Sequence, residues 1–297
     1  MSLNLKLVIA IGLVALAAAP QAPSAMKSPE VRRQVFTLHA TSTKDNYVIS
    51  VSLPEGYSSS SNPYPLLLIL DGEYAFNSAA DISDYLQRDG AVRPYIVVGV
   101  SYGVGFGAPL AAKRSRDFTP PIDERKVITK VPGAYYEFVK KELIPSIAGR
   151  YRIQSRDITL WTYSLSGTFA TWLNYYDRQL FKNYIIASPN LGYGLLEKLM
   201  AGEIFEADDA VPKRVFMSMD PSEVEDPQSY FKPNVAEINE PLAEFLSKFK
   251  GYEFRFYVTK GESHATSWLV ALPSSLRFIF GTKPKAPAMV SSDRGSS

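Results

Sequence analysis

The sequence predicts an α/β fold in which a mainly parallel sheet is covered by helices on both faces and begins with an antiparallel hairpin. Three observations predict it. Short apolar runs bounded by Gly, Pro, Asp or Ser recur along the chain, amphipathic stretches of helical length separate them, and one early segment alternates with period two. That alternating segment comes first: residues 35–39 and 47–51 exchange apolar and polar side chains around Thr43-Lys44-Asp45-Asn46, the pattern of two strands and a polar turn. The apolar runs follow at 66–70, 95–100, 158–161, 184–187, 215–219 and 254–258. They are short for helices and lack the alternation of a half-exposed strand, so they read as strands buried on both faces. Helices are expected over 73–88, 134–151, 167–181, 235–249 and 267–280. A strand followed by a helix returns by a right-handed crossover to lie parallel to its predecessor, which leaves the hairpin at one edge of the sheet.

The 297 residues suit a single domain, expected over 26–283, preceded by an export signal and followed by a tail. Residues 1–25 contain Lys6, the apolar run 7–19 and then Pro20-Gln21-Ala22-Pro23-Ser24-Ala25, the n-, h- and c-region order of a secretory signal peptide. The apolar run is short for a transmembrane span, so no stable membrane insertion is expected after cleavage, and a periplasmic or secreted destination follows. An uncleaved signal anchor is the competing reading. The tail 284–297, rich in Pro, Ser and charge, is expected to be disordered. There is no cysteine, which excludes disulfides, thiolate metal sites and a cysteine nucleophile. His39 and His264 are the only histidines and stand in no metal-binding spacing, so neither a metal nor a cofactor is expected. Net charge is +2, from 32 basic and 30 acidic residues, which argues against a nucleic-acid partner.

The chemistry concentrates at strand ends. Ser164 lies between the run 158–161 and a small-residue helix start, in Thr162-Tyr163-Ser164-Leu165-Ser166-Gly167. This is the position of a nucleophile elbow, where a serine sits on a strained strand-to-helix turn; the alternative is a serine that caps the helix. Thr162 and Ser166 stand where G-x-S-x-G has glycines, and they are expected to crowd the turn. His264, in Gly261-Glu262-Ser263-His264, follows the last strand and opens the last helix, at the same sheet edge as Ser164. It is the candidate general base, whereas His39, on an edge strand, reads as structural. An acid that orients the base belongs after the strand 215–219, where Asp220, Glu223, Glu225 and Asp226 all qualify. An oxyanion hole requires one N–H from Leu165 and one from an earlier strand end, for which Gly72 or Glu73 in Asp71-Gly72-Glu73 is the candidate.

With these residues placed, the chain resembles the esterase family of α/β-hydrolases that includes esterase D, enterochelin esterase and the periplasmic siderophore trilactone esterases. Pro65-Leu66-Leu67-Leu68-Ile69-Leu70-Asp71-Gly72 looks like that family's first core strand and oxyanion loop, and Val97-Val98-Gly99-Val100-Ser101-Tyr102 resembles its next strand. Arg114-Ser115-Arg116-Asp117-Phe118-Thr119-Pro120 is similar to its R-x-R-D-F-T-P loop, the most specific match. Glu142-Leu143-Ile144-Pro145 with Tyr151-Arg152 resembles the helix ahead of the nucleophile strand, and residues 162–167 take the place of G-H-S-L-G-G. The resemblance spans about residues 33–281. It implies an α/β-hydrolase fold, Ser164 as nucleophile, His264 as base and Glu223 as acid, with a serine–histidine dyad as the variant some siderophore esterases use. It also implies hydrolysis of a small-molecule carboxylic ester through an acyl-enzyme, the ester being part of a siderophore or linked to a carbohydrate. Two other functions fit the same residues: a non-catalytic binding protein on a hydrolase scaffold, and an acyltransferase.

Overall fold

The alternating segments form a hairpin: β1 (Arg33–Ala40) pairs antiparallel with β2 (Asp45–Ser52), in register from Arg33 opposite Ser52 to Ala40 opposite Asp45. The computed structural model describes residues 32–124, 129, 131, 133–190, 194–195, 198, 201, 213–219 and 251–282. All six apolar runs are strands: β3 (Tyr64–Ile69), β4 (Ile96–Ser101), β5 (Ile153–Tyr163), β6 (Asn183–Ala187), β7 (Lys213–Met219) and β8 (Tyr252–Val258). They join the hairpin in one sheet of order β1-β2-β4-β3-β5-β6-β7-β8, antiparallel at β1/β2 and β2/β4 and parallel from β4 to β8.

The absence of alternation in these runs has a direct cause. Leu66 and Leu68 point into one core layer with Leu160, Phe169, Trp172 and Met217, while Leu67 and Ile69 point into the other with Phe76, Trp161, Phe216 and Leu272. Helix α1 (Gly72–Arg88) and the last described helix, α6 (His264–Phe280), cover the second layer; α3 (Ala134–Phe138), α4 (Ile144–Arg150) and α5 (Leu165–Tyr176) cover the first. The central strands are therefore buried on both faces and mainly apolar, and buried polar residues such as Thr159 and Thr162 hydrogen-bond to their neighbours on β6. The result is the mixed sheet, helix-covered on both sides, of an α/β-hydrolase-like fold.

The structure corrects the predicted elements in three places. Residues 114–118 are not a loop but the end of helix α2 (Ala108–Phe118), which Pro109 starts and Pro120 follows. Helix α5 ends at Tyr176 instead of reaching 181, because the Asp177 carboxylate accepts hydrogen bonds from Tyr136 Oη at 2.8 Å and Lys140 Nζ at 2.7 Å, and Phe181 is drawn into the core. The helix expected over 134–151 is interrupted by a π turn, Val139–Leu143, just ahead of Pro145, which has no N–H to donate back along the helix. The expected helix 235–249, the signal segment 1–25 and the tail 284–297 lie outside the described residues.

Candidate active site

Strand β5 is buried from Asp157 to Tyr163, and the chain then turns sharply into α5. Ser164 makes the turn with φ +58° and ψ −118°, a left-handed backbone that costs a non-glycine residue roughly 1–3 kcal/mol. The surroundings hold it there: Ser164 N–H donates to Ala187 O at 3.0 Å, and Ser164 O accepts from Thr168 N–H at 3.2 Å. Although Ser164 occupies the N-cap position of α5, its side chain makes no capping hydrogen bond. Its Oγ lies instead 2.9 Å from His264 Nε2, contributed by a residue 100 positions later. The capping alternative thus finds no support in the geometry.

Thr162 and Ser166 do not crowd this turn, contrary to expectation. Thr162 Oγ1 donates to Ile185 O at 3.3 Å on the neighbouring strand. Ser166 Oγ accepts from Tyr163 N–H at 2.8 Å and donates to Tyr163 O at 2.9 Å, so its hydroxyl closes the elbow. The tight approach falls on Gly167, where a Cβ would come within 2.9 Å of Pro189 Cβ. Ser166→Gly is accordingly expected to destabilise the fold by about 1–3 kcal/mol, having removed two buried hydrogen bonds, and not to quicken any reaction of Ser164. Urea denaturation of the variant beside wild type measures the first effect.

His264 is the first residue of α6, whose N-cap, Ser263, forms a reciprocal capping box with Thr266. Two contacts fix it to β5: Tyr163 Oη donates to His264 O at 2.7 Å, and the two rings lie 5.0 Å apart. One turn on, Trp268 meets Trp161 edge to face at 5.6 Å. His39, by contrast, is exposed on β1 and pairs with Asn46 Oδ1 at 3.0 Å, far from this chemistry in role, as its edge-strand pattern suggested. Asp220, Glu223, Glu225 and Asp226 lie outside the described residues.

The oxyanion candidates sit at two helix starts. Leu165 is the first residue of α5, and Gly72 and Glu73 are the first two of α1, positions whose N–H groups have no partner within their own helix. Strands β3 and β5 are parallel neighbours, and Leu70 N–H donates to Trp161 O at 3.1 Å, so both helix starts open at the same level of the sheet. Only glycine fits at 72: a Cβ there would collide with Ser101 Oγ and lie 3.1 Å from both the backbone N and O of Val100. The Glu73 side chain turns inward, where Oε1 accepts the Tyr102 N–H and burial pushes the carboxyl above its ordinary range. Asp71, before them, is fully buried with φ +60°, and its carboxylate takes Arg114 Nε at 2.7 Å and Nη2 at 3.0 Å.

Arg114 received no role in the sequence reading, yet it lies at this junction. A signal existed: Leu110, Arg114 and Phe118 recur every four residues, which places the arginine on the buried face of α2. Tyr163 was likewise missed, since a tyrosine beside a serine carries no pattern of its own.

Comparison with known proteins agrees with this architecture. The family model described as "Putative esterase" matches residues 40–219, from the end of β1 to the end of β7. The ferri-bacillibactin esterase BesA of Bacillus subtilis is 25% identical over 231 residues, covering 72% of this chain and 78% of that protein. Among solved structures, the BES protein from Bacillus cereus superposes with a TM-score of 0.66 at 22% identity, over 87% of this chain and all of that one. An IroE-like serine hydrolase from Shewanella oneidensis gives 0.66 at 23% identity, over 84% and 80% of the two chains. The solved structures share the fold, and the family model, which matches more than half of the chain, places this protein in the "Putative esterase" family and makes it an esterase.

Proposed function

We propose that the chain is an exported serine esterase that cleaves a carboxylic ester, within a siderophore, through an acyl-enzyme. The observation that carries this reading is the 2.9 Å approach of His264 Nε2 to the Oγ of a strained, non-capping Ser164. In the proposed cycle, neutral His264 takes the Ser164 proton as Oγ attacks the ester carbonyl. The N–H groups of Leu165 and of Gly72 or Glu73 receive the charge that develops on oxygen. Collapse expels the alcohol, protonated by His264, and leaves Ser164 acylated; water activated by the same imidazole then releases the acid. Glu223 is assigned as the acid that orients His264. The siderophore ester is inferred from BesA, and the export from the n-, h- and c-region order of residues 1–25.

A panel of p-nitrophenyl esters, followed by siderophore lactones, tests the activity. Wild type is expected to turn over and Ser164→Ala to fall to background, with Glu223→Gln slowed more than Glu225→Gln. Turnover that survives Ser164→Ala rejects the nucleophile, and release of transacylated alcohol in place of free acid favours acyl transfer. Intact-mass measurement on the periplasmic fraction tests export: a chain beginning near residue 25 is expected, and one that retains residues 1–20 supports the anchor.

A further inference from the structure

We propose that Arg114 is a positioning residue that holds the two oxyanion loops at a fixed separation, an inference that rests on the ester-hydrolysis reading above. Strands β3 and β5 are hydrogen-bonded neighbours up to Leu70 and Trp161, but the chains that leave them part at once. From β3 the chain enters α1, which packs on one face of the sheet; from β5 it enters α5, which packs on the other. The two helix starts that present Gly72, Glu73 and Leu165 are thus split across the sheet edge, where no further strand rung can join them. Arg114 reaches into this split from a third element, α2. Its Nε and Nη2 bind both oxygens of Asp71 at 2.7 and 3.0 Å, and Nη2 makes a longer contact with Tyr163 O at 3.4 Å. Its guanidinium also lies 5.5 Å from the centre of the Tyr74 ring. It therefore touches the residue before Gly72, the residue after Glu73 and the residue before Ser164.

Two features indicate that this contact does more than add stability. Asp71 and Ser164 both have left-handed backbones, at φ +60° and +58°, and both lie within one residue of a group in contact with Arg114 or are that group. Such conformations persist only where neighbours over-determine them. The Arg114–Asp71 pair is also well buried, with side-chain exposures of 15% and 0%, and a buried ion pair stabilises a fold little better than apolar side chains of its size. What it supplies is direction: a planar, two-point fork sets the Asp71 carboxylate, and hence the backbone that follows it, at a defined angle. Arg114 acts through these backbones and not on the reacting atoms.

The test uses the full mature chain with the best ester of the panel and, in parallel, a fluorophosphonate whose attack by serine also places charge on oxygen. Arg114→Gly is expected to lower kcat roughly 100-fold, the scale of a lost oxyanion donor, with KM changed by less than about threefold. The labelling rate should fall in step. Guanidinium at tens of millimolar should restore at least about tenfold of the lost kcat in Arg114→Gly and nothing in wild type. Arg114→Lys keeps the charge but not the fork, and it should lose kcat by about tenfold or more; it also supplies the same kinetic readout if Arg114→Gly does not fold. A raised KM with unchanged kcat would make Arg114 a substrate contact and overturn the proposal. A lowered melting temperature with both constants unchanged would reduce it to a structural ion pair. Wild type that neither hydrolyses nor labels defeats the esterase mechanism itself, an outcome distinct from either.

Discussion

A fluorophosphonate probe is expected to label Ser164 in the folded protein, and His264→Ala to slow that labelling by roughly three to four powers of ten. An ordinary serine hydroxyl is a weak nucleophile at neutral pH, so covalent reaction reports two conditions together: a base in hydrogen-bond reach and an Oγ free to attack. Ser164 meets both in geometry, with His264 Nε2 at 2.9 Å and no capping bond to the α5 backbone. The loss on removing the imidazole is large because no other described side chain is hydrogen-bonded to Ser164 Oγ and able to take its proton. Gel fluorescence after brief exposure resolves a change of this size, and peptide mapping identifies the labelled residue. Labelling elsewhere, or equal labelling of wild type and His264→Ala, would refute the assignment. A folded wild type that stays unlabelled would support the binding-scaffold reading.

Trp161→Ala is expected to destabilise the fold by roughly 3–5 kcal/mol, the usual cost of emptying a buried aromatic site. Trp161 is fully buried in the layer beneath α1 and α6, and its ring meets Trp268 on α6 at 5.6 Å. For a domain of this size the melting temperature should drop by about 10 °C. The effect should not stop at stability. Trp161 precedes Ser164 by three residues and Trp268 follows His264 by four, so one ring contact seats the two elements that bring nucleophile and base together. The surviving folded protein is therefore expected to label more slowly than wild type. Trp161→Phe, which keeps most of the contact, should lose less of both. Calorimetry and labelling on the same samples separate the two effects, and a labelling rate unchanged in folded Trp161→Ala would show that the base is seated by other contacts, such as Tyr163 Oη to His264 O.

By itself the sequence determined the strands, the hairpin and the junctions at which chemistry was to be sought. The reason is local: a strand buried on both faces loses the polar alternation of a half-exposed one and reads as a continuous apolar run, and Leu66, Leu67, Leu68 and Ile69 are all fully buried. Ser164 and His264 stood out because each lies in the passage from a strand to a helix, and parallel strands gather those passages at one edge. What depended on distant chain segments was not legible. Residues 114–118 read as a loop only through their resemblance to the R-x-R-D-F-T-P segment, whereas the fold makes them the last turn of α2. The meaning of Arg114 appears once Asp71, 43 positions earlier, and Tyr163, 49 positions later, lie within its reach. Thr162 and Ser166 looked like obstructions in the motif, but tertiary structure supplies Ile185 O to the first, and the turn bends Tyr163 back onto the second. The 2.9 Å between Ser164 and His264 is likewise a property of the whole sheet. Periodicity records which side of an element is dry; the distance between two side chains 100 residues apart depends on every strand spacing and helix seat between them, and only the folded chain sums those.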